Sequence, residues 1–431
     1  MRGPLFFVIL NALFILFIQS LLMQDGPPQN SKLQVFIAGG DEERRRIYRF
    51  RYRVKVAELG DDPPHADHGA KQLSDPLDKS AMQLYVAPSA GAEIVAAARL
   101  NTGLADKGLS GITELEGFGA FREFGVAAMS LSGQLVIAPK WARSKAASLA
   151  LSAIYKLARQ NGSRFDFSQC SPALVPLYQR LGYRRFRENF MDDDLGYQVP
   201  VVLVTEDYPH LSLVKSPLTQ IAGGMSNPPE TGNWFARTFP AYARAPVEAA
   251  MADDEFWHFL ARKLNQAPTA GIPLLEGLSY PEAMSFIRAG SVLHCRKNMP
   301  IVKTGQMGRE MFVILSGGAR VLAGPGKAEV ARLKRGDIFG ELAYLSEVPR
   351  TADVVTTDET ELLVLSQEIV RRIMEKMPVI AARVLFNLSL ILCARLEQST
   401  RNLVTATSQP PIDDEAEAPR QGSVTGRARK R

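Results

Sequence analysis

One run constrains this chain most: Phe339-Gly340-Glu341-Leu342-Ala343-Tyr344-Leu345-Ser346-Glu347-Val348-Pro349-Arg350-Thr351-Ala352. It sets a glycine, a carboxylate, a short apolar turn and an arginine in fixed order. Gly340 has no Cβ, so the backbone can come close to a ligand. Glu341 can accept a hydrogen bond from a sugar hydroxyl. Leu342 to Leu345 fit one helical turn whose free N–H groups face an anion. Arg350 is a two-pronged cation that matches a phosphate. The set suits a cyclic phosphodiester on a ribose. Taken singly, each residue reads as a solvated ion pair or a turn; the ordered set carries the assignment.

Upstream, Lys303 to Gly318 reads as a turn, a strand and a second turn, and Ala319 to Ala323 as the next strand. Leu333 to Ile338 leads into the run. Short β segments punctuated by glycine suit a jelly-roll-like β-barrel. Glu368 to about Leu396 is a long helical pattern. On these residues, roughly 250–400 resembles the cyclic-nucleotide-binding domains, and 339–352 resembles their phosphate-binding cassette. The resemblance implies a nucleotide held by Gly340, Glu341, Leu342, Arg350, Thr351 and Ala352, with cAMP ahead of cGMP. It places Glu341 on the ribose, Arg350 on the phosphate and the C-terminal helices as a lid. Thr351 does not choose the base, since its hydroxyl suits a guanine amino group or the phosphate. Arg309 departs from the family, which usually has an acid there.

The chain has 431 residues, enough for two or three domains. A net charge of +6 fits small anionic ligands or anionic lipid. No nucleic-acid partner is expected. Beyond Leu396 the sequence is polar and proline-containing, with no room for a helix-turn-helix, which argues against a nucleotide-dependent transcription factor. Cys170, Cys295 and Cys393 are scattered without metal-ligand spacing. His65-Ala66-Asp67-His68 is the one close histidine pair, and no metal is expected. Reduced thiols and a nucleotide ligand fit the cytoplasm.

Leu5 to Met23 is nearly all apolar and long enough to span a bilayer. Residues 1–32 therefore read as a membrane anchor, a segment lying along the cytoplasmic membrane, or sequence ahead of a downstream start. Residues 33–210 read as a mixed α/β domain and 211–250, rich in Pro, Gly, Ser and Asn, as a linker. Residues 251–400 form the nucleotide domain and 401–431 a disordered tail. The expected fold class is multidomain α+β.

In the first domain the order is strand, Pro139-Lys140-Trp141, basic loop, helix, strand, then Leu177-Tyr178-Gln179-Arg180-Leu181-Gly182-Tyr183. This resembles the Gcn5-related N-acyltransferase superfamily. The resemblance implies a splayed strand whose Val136 and Ala138 backbone meets the pantetheine of an acyl-CoA or acyl-carrier-protein donor. Arg143 and Lys145 would meet its phosphates, and Tyr178 would protonate the leaving thiolate. Ile47 to Val54, Ser74-Asp75-Pro76-Leu77-Asp78 and Ala97-Ala98-Arg99-Leu100 resemble the acyl-homoserine-lactone synthase and N-acyl amino acid synthase branch. Carried over, Arg51, Asp75, Asp78 and Arg99 would shape the acceptor pocket. Two departures stand out. The loop Ala142 to Ala147 has no glycine. The branch's Glu-x-x-Arg reads Leu131-Ser132-Gly133-Gln134, so the obvious general base is missing, leaving Glu93 or an aspartate of the pair as substitutes. Two functions follow as expectations: a nucleotide-regulated N-acyltransferase, or a nucleotide sensor with a silent first domain that recruits a partner or membrane.

Overall fold

The computed structural model describes residues 32–60, 63–103, 118–141, 144–192, 196–243, 251–288, 290–308, 310–346 and 348–408. The expectations for residues 1–31, for Arg143 and for the tail beyond 408 lie outside them.

The first half is built on one sheet. Its strands are β1 Gln34–Ile37, β4 Met82–Ala87, β5 Ala96–Thr102, β6 Met129–Ile137, β7 Phe165–Cys170, β10 Gly196–Val204 and β8 Arg184–Arg185, hydrogen-bonded in that spatial order. A short β9, Phe190–Asp192, pairs with the start of β10. A separate small pair joins β2 Ala66–Asp67 to β3 Gln72–Leu73. β6 and β7 run parallel, while their outer neighbours are antiparallel. The β6–β7 pairing stops at Leu131 and Phe167, although both strands continue. The two strands therefore part company midway.

Local chemistry explains the covering helices. Ala146–Gln160 buries Ala146, Ala147, Ala150, Leu151, Ile154, Tyr155 and Ala158, one stripe at helical spacing. Its small alanines let it lie close on the sheet. Asp41–Tyr52 starts with Asp41, Glu42 and Glu43 and ends with Arg49 and Arg51, charges that suit the helix dipole. It continues as a π-helical turn, Arg53–Glu58. Val175–Leu181 ends on Gly182, whose φ of 104° provides a left-handed cap.

Residues 211–243 are not a linker. Helices Tyr208–Leu213, Thr219–Ala222, Glu230–Thr238 and Pro240–Ala243 fold back on the sheet. Trp234 and Phe235 are buried against Phe118, Phe121, Phe165 and Phe167. The Pro, Gly, Ser and Asn residues shape the turns between short helices, and a few aromatics supply the burial that a linker would lack.

The second half is a sandwich of two four-stranded sheets. One holds β11 Ser291–Cys295, β18 Thr360–Ser366, β13 Glu310–Ser316 and β16 Ile338–Phe339; the other holds β12 Pro300–Val302, β17 Asp353–Thr356, β14 Ala319–Ala323 and β15 Ala328–Leu333. Alternation along β13 decides its packing. Phe312 and Ile314 face the sandwich interior. Met311, Val313 and Leu315 face a helical layer with Phe256, Leu260, Phe286, Val384 and Leu388. The long helical pattern expected from Glu368 to about Leu396 is two helices, Gln367–Lys376 and Pro378–Ser408, divided at Pro378, which cannot donate its backbone N–H. Residues 401–408, expected in the tail, belong to the second helix. Part of it, Pro378–Arg401, is long and apolar enough to cross a membrane by length and composition. Its Ile380, Ala381, Val384 and Leu388 are buried against the sandwich layer.

The halves share a packed contact. The Tyr197 hydroxyl lies 3.1 Å from Cys295 Sγ and 3.3 Å from Met299 Sδ. Asn189 Nδ2 donates to the His294 carbonyl at 3.3 Å.

Candidate functional site

The run Phe339 to Ala352 folds as a strand end, a helical turn Glu341–Ser346 and a return into β17. Gly340 has φ 81°. A Cβ there would sit 2.7 Å from Arg350 Nη1 and 3.0 Å from the Glu310 carbonyl, so only glycine fits. A Cβ at Gly308 would also collide with the Arg350 guanidinium. Two glycines thus frame a slot around that cation.

Arg350 is buried, 7% exposed. Its Nη1 donates to the Gly340 carbonyl at 2.7 Å and its Nη2 to the Glu310 carbonyl at 2.9 Å. The Glu310 carboxylate lies 3.6 Å away. Burial pulls the guanidinium below its ordinary pKa, against the opposing charges of Glu310 and Glu341. The buried cation is held by two neutral carbonyls with the Glu310 carboxylate nearby.

Glu341 is also buried. Its Oε1 accepts from Arg395 Nη1 at 2.6 Å, and Arg395 Nη2 also donates to the Ile338 carbonyl. Sequence reasoning missed Arg395. It stands on the long C-terminal helix, so that helix meets Glu341, the residue expected on the ribose. Leu342 and Thr351 are exposed, and Ala352 is half-buried at the entry to β17.

In the first half, Arg51, Asp75, Asp78 and Arg99 come together, but chiefly on one another. Arg51 Nη1 lies 2.9 Å from both Asp78 oxygens, and its Nη2 donates to Gln83 Oε1 at 2.6 Å. Arg99 Nη1 pairs with Asp75 and lies 3.2 Å from Asp78 Oδ1. Gln134 Nε2 donates to Asp75 Oδ2 at 2.8 Å. Burial lowers the Arg51 pKa, opposed by Asp78. Burial pushes Asp78 up, yet Arg51 and Arg99 outweigh it and hold the carboxyl below its ordinary value. The Asp-x-x-Asp spacing has a local cause too: Asp75 caps a short 3₁₀ turn and Asp78 reaches back to the Asp75 N–H at 2.8 Å.

Tyr178 sits where β6 and β7 separate. Its hydroxyl lies 3.2 Å from Ser168 Oγ, which lies 3.1 Å from the Ser132 carbonyl. Burial pushes the phenol well above its ordinary pKa, so it stays protonated at neutral pH. Val136 and Ala138 are buried; Val136 is in register with Ala97, and the Ala138 N–H donates to the Val95 carbonyl at 2.9 Å. Lys145 is exposed ahead of Ala146–Gln160, but the Ala146 N–H is taken by Ser144 Oγ at 3.1 Å. Glu93 is exposed and paired with Arg53 at 2.9 Å. Among the described residues no three His, Cys, Asp or Glu side chains gather for a metal. His68 Nδ1 instead lies 3.0 Å from the Tyr52 hydroxyl.

Comparison with known proteins bears on the second half. Residues 292–377 match the family model described as the cyclic nucleotide-binding domain. The chain is 29% identical over 116 residues to a cAMP-dependent protein kinase regulatory subunit of Colletotrichum orbiculare, covering 27% of this chain and 30% of that one. It is 30% identical over 139 residues to the cyclic AMP receptor protein of Thermus thermophilus, covering 31% and 61%. A solved cyclic nucleotide-binding domain from Methylobacillus flagellatus aligns with a TM-score of 0.32 at 23% identity, over 37% of this chain and 88% of that one. The chain thus spans under a third of the kinase subunit and about three fifths of the receptor. Its second half carries a cyclic nucleotide-binding domain.

Proposed function

We propose that this protein is a cyclic-nucleotide-regulated acyltransferase that moves an acyl group from a thioester, on coenzyme A or a carrier protein, to an amine. The nucleotide half rests on one observation: the buried Arg350 guanidinium packs so closely on Gly308 and Gly340 that a Cβ at either would displace it. In this reading Arg350 meets the phosphate and Glu341 the ribose, with a cAMP-like ligand. Gly340, Leu342, Thr351 and Ala352 line the same run. The fused first half supplies the output.

The acyl-transfer half is supported by the split between β6 and β7 with Tyr178 beside it. A thioester arm laid along free strand edges would bring its sulfur toward a phenol that holds its proton. Tyr178 would donate that proton to the leaving thiolate. The test is thioester consumption with an amine acceptor, with and without cAMP or cGMP. Consumption that changes with nucleotide supports the reading; none under either condition refutes the enzyme half.

A second reading has its own observation. Arg51, Asp75, Asp78 and Arg99 pair chiefly with one another, and Ser144 Oγ takes the Ala146 N–H at the start of the helix after the basic loop. That favours a silent first domain that recruits a partner or a membrane. Calorimetry with coenzyme A separates the two, because a silent domain gives no heat of binding.

A further inference from the structure

Loop 303–308 touches the Arg350 slot on one side and the first half of the chain on the other. On the slot side, the Gly305 N–H donates to the Arg350 carbonyl at 2.8 Å, and the Arg350 N–H to the Gln306 carbonyl at 2.9 Å. Thr304 is pinned to Asp353, its N–H at 2.8 Å and its hydroxyl at 2.7 Å. The backbone that carries the arginine is therefore laddered to the loop, and a shift of one moves the other.

On the other side, Gln306 Nε2 donates to the Asp192 carbonyl at 3.1 Å, where β9 ends. A Cβ on Gly196, where β10 begins, would be 3.4 Å from Gln306 Oε1. The amide thus caps the mouth of the β9–β10 hairpin. One residue on, Met307 Cε lies 3.9 Å from the Cβ position of Gly60, just past the π-helical turn Arg53–Glu58. β10 then runs beside β7, with Val199 opposite Cys170 and Val201 opposite Ser168, the partner of Tyr178. A short bonded path leads from the phosphate arginine to the strand split.

We infer that loop 303–308 is the clasp through which nucleotide occupancy reaches the first half, and that the Gln306 side chain is its coupling residue. This rests on the proposed binding of a cyclic nucleotide at Arg350. Ligation draws the guanidinium off the Gly340 and Glu310 carbonyls. The Arg350 backbone follows, the loop moves with it, and Gln306 carries the shift to the hairpin. The first-half core and the sandwich interior pack into one continuous cluster, and across that packing the coupling is carried by two discrete arrangements of the loop.

The test is hydrogen exchange on the full chain, with and without saturating cAMP, and with binding measured separately by calorimetry. In the wild type, nucleotide should change exchange of the 190–204 amides by about fivefold or more. Gln306→Ala should bind nucleotide within about threefold of wild type yet lose that response. Gln306→Glu, nearly isosteric but repelling the Asp192 carbonyl, should behave like the alanine variant. A hairpin that stays silent in a saturated wild type overturns the clasp alone, as does a normal response in both variants. Failure to bind cAMP or cGMP at all overturns the nucleotide reading and the clasp with it.

Discussion

Arg350→Ala is the sharpest perturbation of the nucleotide site. The side chain is buried, and both its Nη atoms point at carbonyls in the slot. A phosphate replacing those carbonyls would receive a bidentate, charge-assisted pair in a water-poor setting. Each such bond contributes about 1.5–3 kcal/mol, and part is given back because the carbonyls lose their donor. The expected net loss is about 2–4 kcal/mol, or roughly 30- to 800-fold in affinity. Arg350→Lys keeps the charge but not the fork, so it should fall between, at about tenfold. Calorimetry with cAMP and cGMP on the full chain measures the loss, and thermal melts establish that each variant is folded. A folded alanine variant that binds within about threefold of wild type would refute the phosphate assignment.

Glu341 is testable on the ligand instead: the wild type should bind 2′-deoxy-cAMP about tenfold more weakly than cAMP, and Glu341→Ala should abolish the difference. Phe235, fully buried on the aromatic cluster, should cost about 3–5 kcal/mol on replacement by alanine, read by chemical denaturation; a linker phenylalanine would cost almost nothing. His210 gives a pH signature. Burial, and then the Arg184 charge, lower its pKa to about 4, while Asp207 opposes them. Between about pH 6.5 and 4 the unfolded chain takes up a proton that the native one refuses, so stability is full above that window and lost as pH falls through it. Going from pH 7 to 5 should cost about 2 kcal/mol at this residue, and His210→Gln should flatten the stability profile over that range.

Much of this was legible where local sequence fixes local geometry. Gly182 as a left-handed cap, the alanine-rich stripe of Ala146–Gln160 and the Gly340–Glu341 turn all follow from short-range sterics. Two of the misses, the 211–243 segment and Arg395, share one cause, which is contact across long sequence separation. Nothing near Trp234 and Phe235 reveals that they will meet Phe121 and Phe165, so a Gly- and Pro-rich context looked like a linker. Arg395 is one cation among many on a helical stretch, and only the fold brings it to Glu341. β10 went unread for a different reason. It is buried along its whole length, so it lacks the alternation that marks a half-exposed strand.

The same distinction governs Arg51, Asp75, Asp78 and Arg99. Their order in sequence suggested an acceptor pocket, with carboxylates for an ammonium and guanidiniums for a carboxylate. In the fold two cations and two anions cancel, and an acceptor would have to compete with bonds at 2.9 Å between groups already stripped of water. The network is therefore first a device that holds the Asp41–Tyr52 helix to β5 and to the turn after β3. Loss of activity in Asp78→Ala would not identify a binding role, because stranding Arg51 as an unpaired buried charge costs about 3–5 kcal/mol of stability by itself. What remains for an acceptor are the atoms the network leaves over. Among the described residues, Arg51 Nε, Arg99 Nε and Gln134 Oε1 are buried without a partner. Gln134 is the discriminating position, since it touches the network only through Asp75 and adopts φ 50° on β6. If the acceptor lies against this edge, Gln134→Ala should raise KM for the amine with little change in melting temperature. An unchanged KM would move the acceptor elsewhere and leave the four charges as architecture.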